Sequence, residues 1–347
     1  MILHGGRNMQ QPESKQLPWH ERQWQIGTVV GLRAPGKATG FIEHGSSADG
    51  TALQSAVHVL VGPQEGPVLY VQAAIHGDEV NGVEVLRRLL LELDPTSLSG
   101  VVMVVPVANG PGFIHHRRRN CFDEEDMNRV WPGKERGSMS QQIASHLYQH
   151  AIRHADYVVD LHTASSNTLL HVVYAQGDER SRKLAEVFGI EVLLEEAIDD
   201  DLRRSRFTGK LRNVLTERGV PAITPELGGA NCLEEEPIVL GVRGMTNIMK
   251  HLGMLAGEVA PPERPHVTLR GSHLDEVWAQ QGGIWIAEVK AGERVQQGQR
   301  LGSLYSVRTF ETVEWITAPY DGYILGLTDI PVINTGDALV NICRLGT

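Results

Sequence analysis

The sequence predicts an α/β protein with a mostly parallel mixed sheet flanked by helices, followed by a small β-domain. Three observations carry this expectation. Short β-branched apolar runs alternate with amphipathic stretches as far as Leu255, the segment Pro261-Pro262-Glu263-Arg264-Pro265 interrupts them, and only short strands and glycine turns follow. At 347 residues the chain exceeds what one core usually serves. Two domains are expected, over 27–260 and 264–347, behind a polar, draped N-terminal arm over 1–26 that shows no period.

The runs Val57 to Val61 and Val68 to Ala74 are bounded by Gly62-Pro63 and Gly66-Pro67, the pattern of buried strands. Between Glu79 and Leu93, Val80, Val83, Leu86, Leu90 and Leu93 recur at helical spacing, and Pro95 ends the run. Further strands are expected over Val101 to Val107, Tyr157 to Leu161, Leu169 to Ala175, Ile190 to Leu194 and Pro221 to Thr224. Helices are expected over Ser140 to His154, Glu179 to Phe188, Leu211 to Arg218 and Gly244 to Leu255. Beyond the linker, Val295 to Leu301 is echoed by Ile333 to Leu339, both reading apolar-x-x-Gly-x-x-Leu, which predicts a pseudo-symmetric β-sandwich.

Asp and Glu together number 42 against 32 Lys and Arg, a net charge of −10, so the surface repels phosphate backbones and nucleic acid is a poor partner. No apolar run spans a bilayer and no signal peptide opens the chain. Three cysteines without CxxC spacing point to a reducing compartment, so a cytoplasmic protein with no membrane partner is expected. The basic run His115 to Arg119 is followed at once by Asp123-Glu124-Glu125-Asp126, which reads first as a solvated loop of mixed charge. The 15 histidines leave room for metal ligands.

In sheets of this kind the working residues gather at the carboxyl ends of strands. Ala74-Ile75-His76-Gly77-Asp78-Glu79 stands where a strand ends and a helix begins, so a first-turn Glu79 can turn its carboxylate toward His76. That pair offers two of the three protein ligands of a catalytic zinc. His162, just past the strand ending at Leu161, is the candidate third ligand, with Asp160 placed to orient it or to cap a turn. A zinc hydrolase also needs a carboxylate to move the proton of the attacking water, and Glu226, between an apolar strand and Gly228-Gly229, is the candidate. Asn128-Arg129 combines an amide with a planar fork suited to gripping a carboxylate, and Arg118 is placed to polarise a scissile carbonyl.

Taken in order, HGDE at His76 to Glu79, DMNRVWPG at Asp126 to Gly133, DLHT at Asp160 to Thr163 and PELGG at Pro225 to Gly229 resemble the succinylglutamate desuccinylase/aspartoacylase family, a branch of the zinc carboxypeptidase-like fold. The resemblance covers roughly residues 50 to 347. It implies one zinc per chain held by His76, Glu79 and His162, Glu226 as general base and then acid, Asn128 and Arg129 on the substrate carboxylate, and Arg118 on the oxyanion. Cys121 and Glu124 stand where the family pattern RxxPxDGxDLNR has proline and glycine. The C-terminal region resembles a lipoyl/biotinyl-type barrel-sandwich, with Glu311 at the place of the modified lysine, so it is no carrier by that route.

The expected function is zinc-dependent hydrolysis of a small N-acylated amino acid, in a chain that leaves room for a homo-oligomer. Two alternatives stay open at this point: a zinc carboxypeptidase acting on peptides, and a non-catalytic binding module built on the same scaffold.

Overall fold

The structure, a computed structural model, describes residues 17–197, 209–271 and 276–345. The first sixteen residues of the expected arm lie outside these. The rest of that arm is built into the protein: Trp19 Nε1 donates to Gly62 O at 2.8 Å, and β1 (Trp24–Ile26) pairs with β2 (Val29–Leu32).

The main chain then runs through β3 (Gly36–Ser46), β4 (Ala52–Val61), β5 (Gln64–Ala73), α1 (Asn81–Glu92), β6 (Ser99–Val105), α2 (Gly110–Ile114) and α3 (Met139–His150). It continues with β7 (Tyr157–Ala164), β8 (His171–Ala175), α4 (Glu179–Phe188), β9 (Val192–Glu196), α5 (Leu211–Glu217), β10 (Ala222–Gly229), α6 (Glu235–His251) and β11 (Val267–Gly271). The fold is mixed α/β around one large sheet, in which these strands lie in the order β11-β9-β8-β10-β7-β5-β6-β4-β3. The block β10-β7-β5-β6 is parallel, as is β8-β9-β11, while β10 meets β8, and β4 meets both β6 and β3, antiparallel.

Alternation along β5 explains why it reads as an unbroken apolar run. Leu69, Val71 and Ala73 enter the core shared with α1, α4 and α6, while Val68 and Tyr70 enter the core under α3 and α5, so both faces are covered. Each fully buried Leu or Val on these rows stabilises the fold by about 1.5–3 kcal/mol.

Several boundaries differ from the sequence expectation for identifiable reasons. Helix α6 begins at Glu235, well before the expected Gly244, because Gly241 and Gly244 are approach points and not breakers. A Cβ on Gly241 would come within 2.6 Å of Val85, and one on Gly244 within 2.6 Å of Phe188. Glu79 precedes α1 instead of opening it, since the His76–Glu79 segment closes its own turn, Glu79 N donating to His76 O at 3.2 Å. The long strand β3 carries no clear apolar run and escaped the sequence reading, its burial alternating along much of its length.

The C-terminal region comprises β12 (Glu276–Trp278), β13 (Gly283–Ala287), β14 (Arg294–Val295), β15 (Arg300–Tyr305), β16 (Thr312–Thr317), β17 (Gly322–Leu327), β18 (Val332–Ile333) and β19 (Ala338–Leu345). The two echoed segments fold alike: Val295 and Ile333 are buried, and Gly298 and Gly336 both turn at positive φ, 78° and 89°. They fall in different sheets, β14 in the main one and β18 in a four-stranded sheet ordered β16-β15-β13-β18. The C-terminal region docks by strand pairing, β11 joining β9 on one side and β19 on the other. Loop contacts reinforce it, Ser165 Oγ donating to Leu327 O at 2.7 Å and Ser166 N to Asp329 Oδ2 at 2.8 Å.

Candidate active site

The carboxyl ends of β5, β7 and β10 meet at one point, and the residues singled out in the sequence converge there. Ala73 on β5 is paired with Leu161 on β7, so the next residues on both strands leave the sheet side by side. The turn after β5 is tight because Gly77 lies against α2, where an added Cβ would fall 2.0 Å from the Gly112 carbonyl carbon. This brings His76, Glu79 and His162, all buried, together with their ligand atoms within 4.8 Å of one another. His76 Nδ1 lies 2.6 Å from Glu79 Oε1 and His162 Nδ1 2.9 Å from Glu79 Oε2.

The surroundings decide what these three can do. His76 Nε2 lies 3.1 Å from Asp126 Oδ1, and His162 Nε2 lies 3.1 Å from Asp160 Oδ2. Behind Asp160, Gln72 Nε2 donates to its Oδ1 at 3.0 Å, and Tyr70 donates its hydroxyl proton to Gln72 Oε1 at 2.9 Å. A carboxylate on the far nitrogen of each imidazole fixes ring orientation and turns both Nδ1 atoms toward the Glu79 oxygens, the usual second-carboxylate setting of metal-bound histidine. Two imidazoles and one carboxylate, with open space beside them, could hold a metal and leave a position for water. In the chain alone, burial works against ionisation of Glu79, yet His76 and His162 hold its carboxyl well below the usual range. Burial likewise opposes a charge on His162, and Asp160 and Glu79 overcome it to raise that imidazole well above its ordinary value.

Glu226 sits on β10 directly beside His162 on β7, and its other neighbour in the sheet is His171 on β8. Arg118 reaches in from the loop after α2, with Nη2 donating to Asp126 Oδ2 at 3.1 Å and Nη1 lying 3.6 Å from Glu79 Oε1. Asn128 accepts from Leu211 N at 3.0 Å through Oδ1, which caps the start of α5 and leaves its amide nitrogen as the group available for a ligand. Arg129 follows on the same loop, its Nη1 donating to Asn128 O at 2.8 Å. All seven residues line one cavity of about 530 Å³.

The acidic run is no solvated loop. Asp123 accepts from Ser140 N at 2.7 Å, Glu125 from Ser138 Oγ at 2.7 Å, and Asp126 serves His76, Arg118 and Asn128 N. Glu124 adopts φ 55°, the left-handed conformation glycine favours, so the loop makes its turn at a cost of about 1 kcal/mol.

Sequence reasoning missed much of the cavity wall. A buried network of Glu196, Lys210 and Arg212 forms one side: Lys210 Nζ lies 2.7 Å from Glu196 Oε1, Arg212 Nη2 pairs with Glu196 Oε2, and Arg212 Nη1 donates to Thr224 Oγ1 at 2.8 Å. Burial draws the Lys210 ammonium down to about 8 against the pull of Glu196. Strand β9 runs on to Glu196 beyond its expected end at Leu194, which was the available signal. The C-terminal region supplies Glu276, Trp278 and residues of β17 and β19.

A family model described as the succinylglutamate desuccinylase/aspartoacylase catalytic domain matches residues 65–252, a span that holds all seven residues. The chain belongs to this family. Members of the succinylglutamate desuccinylase/aspartoacylase family are hydrolases of amide C–N bonds, and this chain is one. An N-alpha-acetyl-L-2,4-diaminobutyric acid deacetylase of Halomonas elongata is 27% identical over 351 residues, covering 96% of this chain and 98% of that protein. A succinylglutamate desuccinylase of Pseudomonas paraeruginosa is 30% identical over 252 residues, 66% of this chain and 70% of that one. Among solved structures, a succinylglutamate desuccinylase/aspartoacylase from Rhodobacter sphaeroides superposes with a TM-score of 0.83 at 23% identity, covering 93% of this chain and all (100%) of that one. The product-bound ectoine utilization protein EutE (DoeB) from Ruegeria pomeroyi gives 0.83 at 22%, covering 92% and 99%. These relatives extend the family likeness through the C-terminal region. Among the described residues no helix is long and apolar enough to cross a membrane.

Proposed function

We propose that the chain is a zinc-dependent deacylase that hydrolyses the amide bond of a small N-acyl amino acid. The observation that carries this reading is the convergence of His76, Glu79 and His162 with Glu226, Arg118, Asn128 and Arg129 on one cavity that the C-terminal region helps to wall. Its volume of about 530 Å³ suits a small molecule better than a peptide, which favours deacylation over carboxypeptidase action. The presence of every ligand and of the shuttle carboxylate speaks against a purely binding role. The limits 27–260 and 264–347, the carboxypeptidase-like and barrel-sandwich assignments, and a cytoplasmic location belong to the same proposal.

A zinc ion on His76, Glu79 and His162 would supply Lewis acidity toward water and the amide carbonyl. Arg129, with the Asn128 amide, binds the substrate carboxylate bidentately and thereby fixes the amide in the cavity. Glu226 takes the proton of the attacking water and returns it to the departing amine, so one carboxylate serves as base and then acid. Arg118, tethered by Asp126, donates N–H to the carbonyl oxygen as negative charge develops there. Products are a free carboxylate and an amino acid.

A screen of N-acetyl and N-succinyl amino acids beside short peptides, on protein of known metal content, tests the reading. Small N-acyl amino acids are expected to be cut fastest. Glu226→Gln is expected to keep its metal and lose on the order of 100-fold or more in kcat. Arg129→Lys, which keeps charge but loses the planar fork, should raise KM for acids. Faster cleavage of peptides than of acetyl amino acids, or an active Glu226→Gln, contradicts the proposal.

A further inference from the structure

The carboxylates on the cavity wall differ in how they are spent. Glu79 is engaged by His76 and His162, Glu196 by Lys210 and Arg212, and Glu226 stands beside His162 for proton transfer. Glu276 is half-buried on the same cavity and, among the described residues, has no hydrogen bond or ion pair. Burial raises its carboxyl above the ordinary value even though Lys210 and Arg129 pull the other way. A partly desolvated carboxylate with no hydrogen-bonded partner among the described residues is costly, so its natural complement is a ligand that brings a cation within hydrogen-bond reach.

Strand geometry adds a second group. On β12 the apolar Val277 packs against the C-terminal core, so Glu276 and Trp278, two residues apart, share the opposite face, and both line the cavity. Trp278 is 46% exposed, with no hydrogen bond or ring contact among the described residues. A carboxylate and an indole on one strand face are the two groups that recognise an ammonium, one by a charge-assisted hydrogen bond and the other through its π face.

We propose that Glu276 and Trp278 form a cation subsite that selects N-acyl amino acids carrying a second, positively charged amine. The inference deepens the deacylase reading and rests on it: with the α-carboxylate on Arg129, an ammonium-bearing side chain is held by β12. An acidic side chain would set a carboxylate against Glu276, and a neutral one would bring no cation to add to the pull of Lys210 and Arg129.

The test measures kcat/KM on the metal-loaded protein for the N-α-acetyl derivatives of 2,4-diaminobutyrate, ornithine and lysine against those of norvaline, aspartate and glutamate. A diamino acid is expected to be the best substrate. The quantity read in the variants is the ratio of its kcat/KM to that of the norvaline derivative. Glu276→Gln should lower that ratio about 10- to 100-fold, mainly through KM, and Trp278→Leu should lower it by a smaller factor. Rescue of most of the ratio by Glu276→Asp would separate a charge effect from a fold defect. Equal or better cleavage of neutral or acidic substrates by the unmodified protein, or an unchanged ratio in Glu276→Gln, overturns the subsite and leaves the deacylase reading standing. Hydrolysis of none of the N-acyl amino acids overturns both.

Discussion

Two groups of histidines in this molecule have opposite character. At the strand ends, His76 and His162 face Glu79 and are backed by Asp126 and Asp160. Under α3, His44 of β3 stacks on His146 with ring centroids 5.9 Å apart, and His146 lies 6.3 Å from His150. His44 Nε2 meets Ser55 Oγ at 2.9 Å, while the buried Nδ1 atoms of His44 and His146 have no hydrogen-bond partner among the described residues. Burial, followed by His146 and His150, draws His44 down to about 3, and burial with Arg153 and His150 draws His154 down to about 4. At the strand ends carboxylates reverse that burial effect and raise His162. Histidine density therefore does not distinguish the two groups; carboxylates behind and between the imidazoles mark the one that could hold a metal.

The comparison can be broken by pH. Because the folded His44 titrates below its unfolded value near 6.5, only the unfolded chain gains its proton as pH falls from about 6.5 toward about 3, and stability is lost over that window. From pH 7 to pH 4.5 the loss from His44 is roughly 2–3 kcal/mol. Denaturant titrations of the protein and of His44→Gln should differ less at pH 4.5 than at pH 7 by that amount; a pH-independent difference would mean that His44 is not held neutral.

A second, smaller effect sharpens the other half. Asp160→Asn keeps shape but removes the charge behind His162, and is expected to weaken metal affinity about 10- to 100-fold. Competition with a chromophoric chelator would measure it, and an unaltered affinity would show that Asp160 only supports the turn. The smallest effect belongs to Glu124. Glu124→Gly relieves the side chain at φ 55° but frees the unfolded chain, so stability should rise by no more than about 1 kcal/mol, read as a midpoint shift in urea.

What was legible in the sequence follows the same division. His76, Glu79, His162 and Glu226 stand at ends of apolar runs, so local pattern marked them, and the strand order then brought them together. Asp126 was passed over because its neighbours Asp123 to Glu125 made it look like one more surface charge, whereas its contacts are with His76, fifty positions away, and with Arg118. Glu196, Lys210 and Arg212 were harder to read for a related reason: beyond the run of β9 toward Glu196 nothing marks them, because their value lies in mutual burial and no short spacing links β9 to α5. Glu276 and Trp278 reach the cavity only because β19, the partner of β12, also pairs with β11 and so joins the main sheet.

The most direct test of the account is metal content after chelation, reloading with zinc and dialysis. About one zinc per chain is expected in the protein and in His146→Ala, and almost none in His76→Ala or His162→Ala. Stoichiometric zinc in both strand-end variants, or its loss in His146→Ala, would place the metal elsewhere and contradict the account.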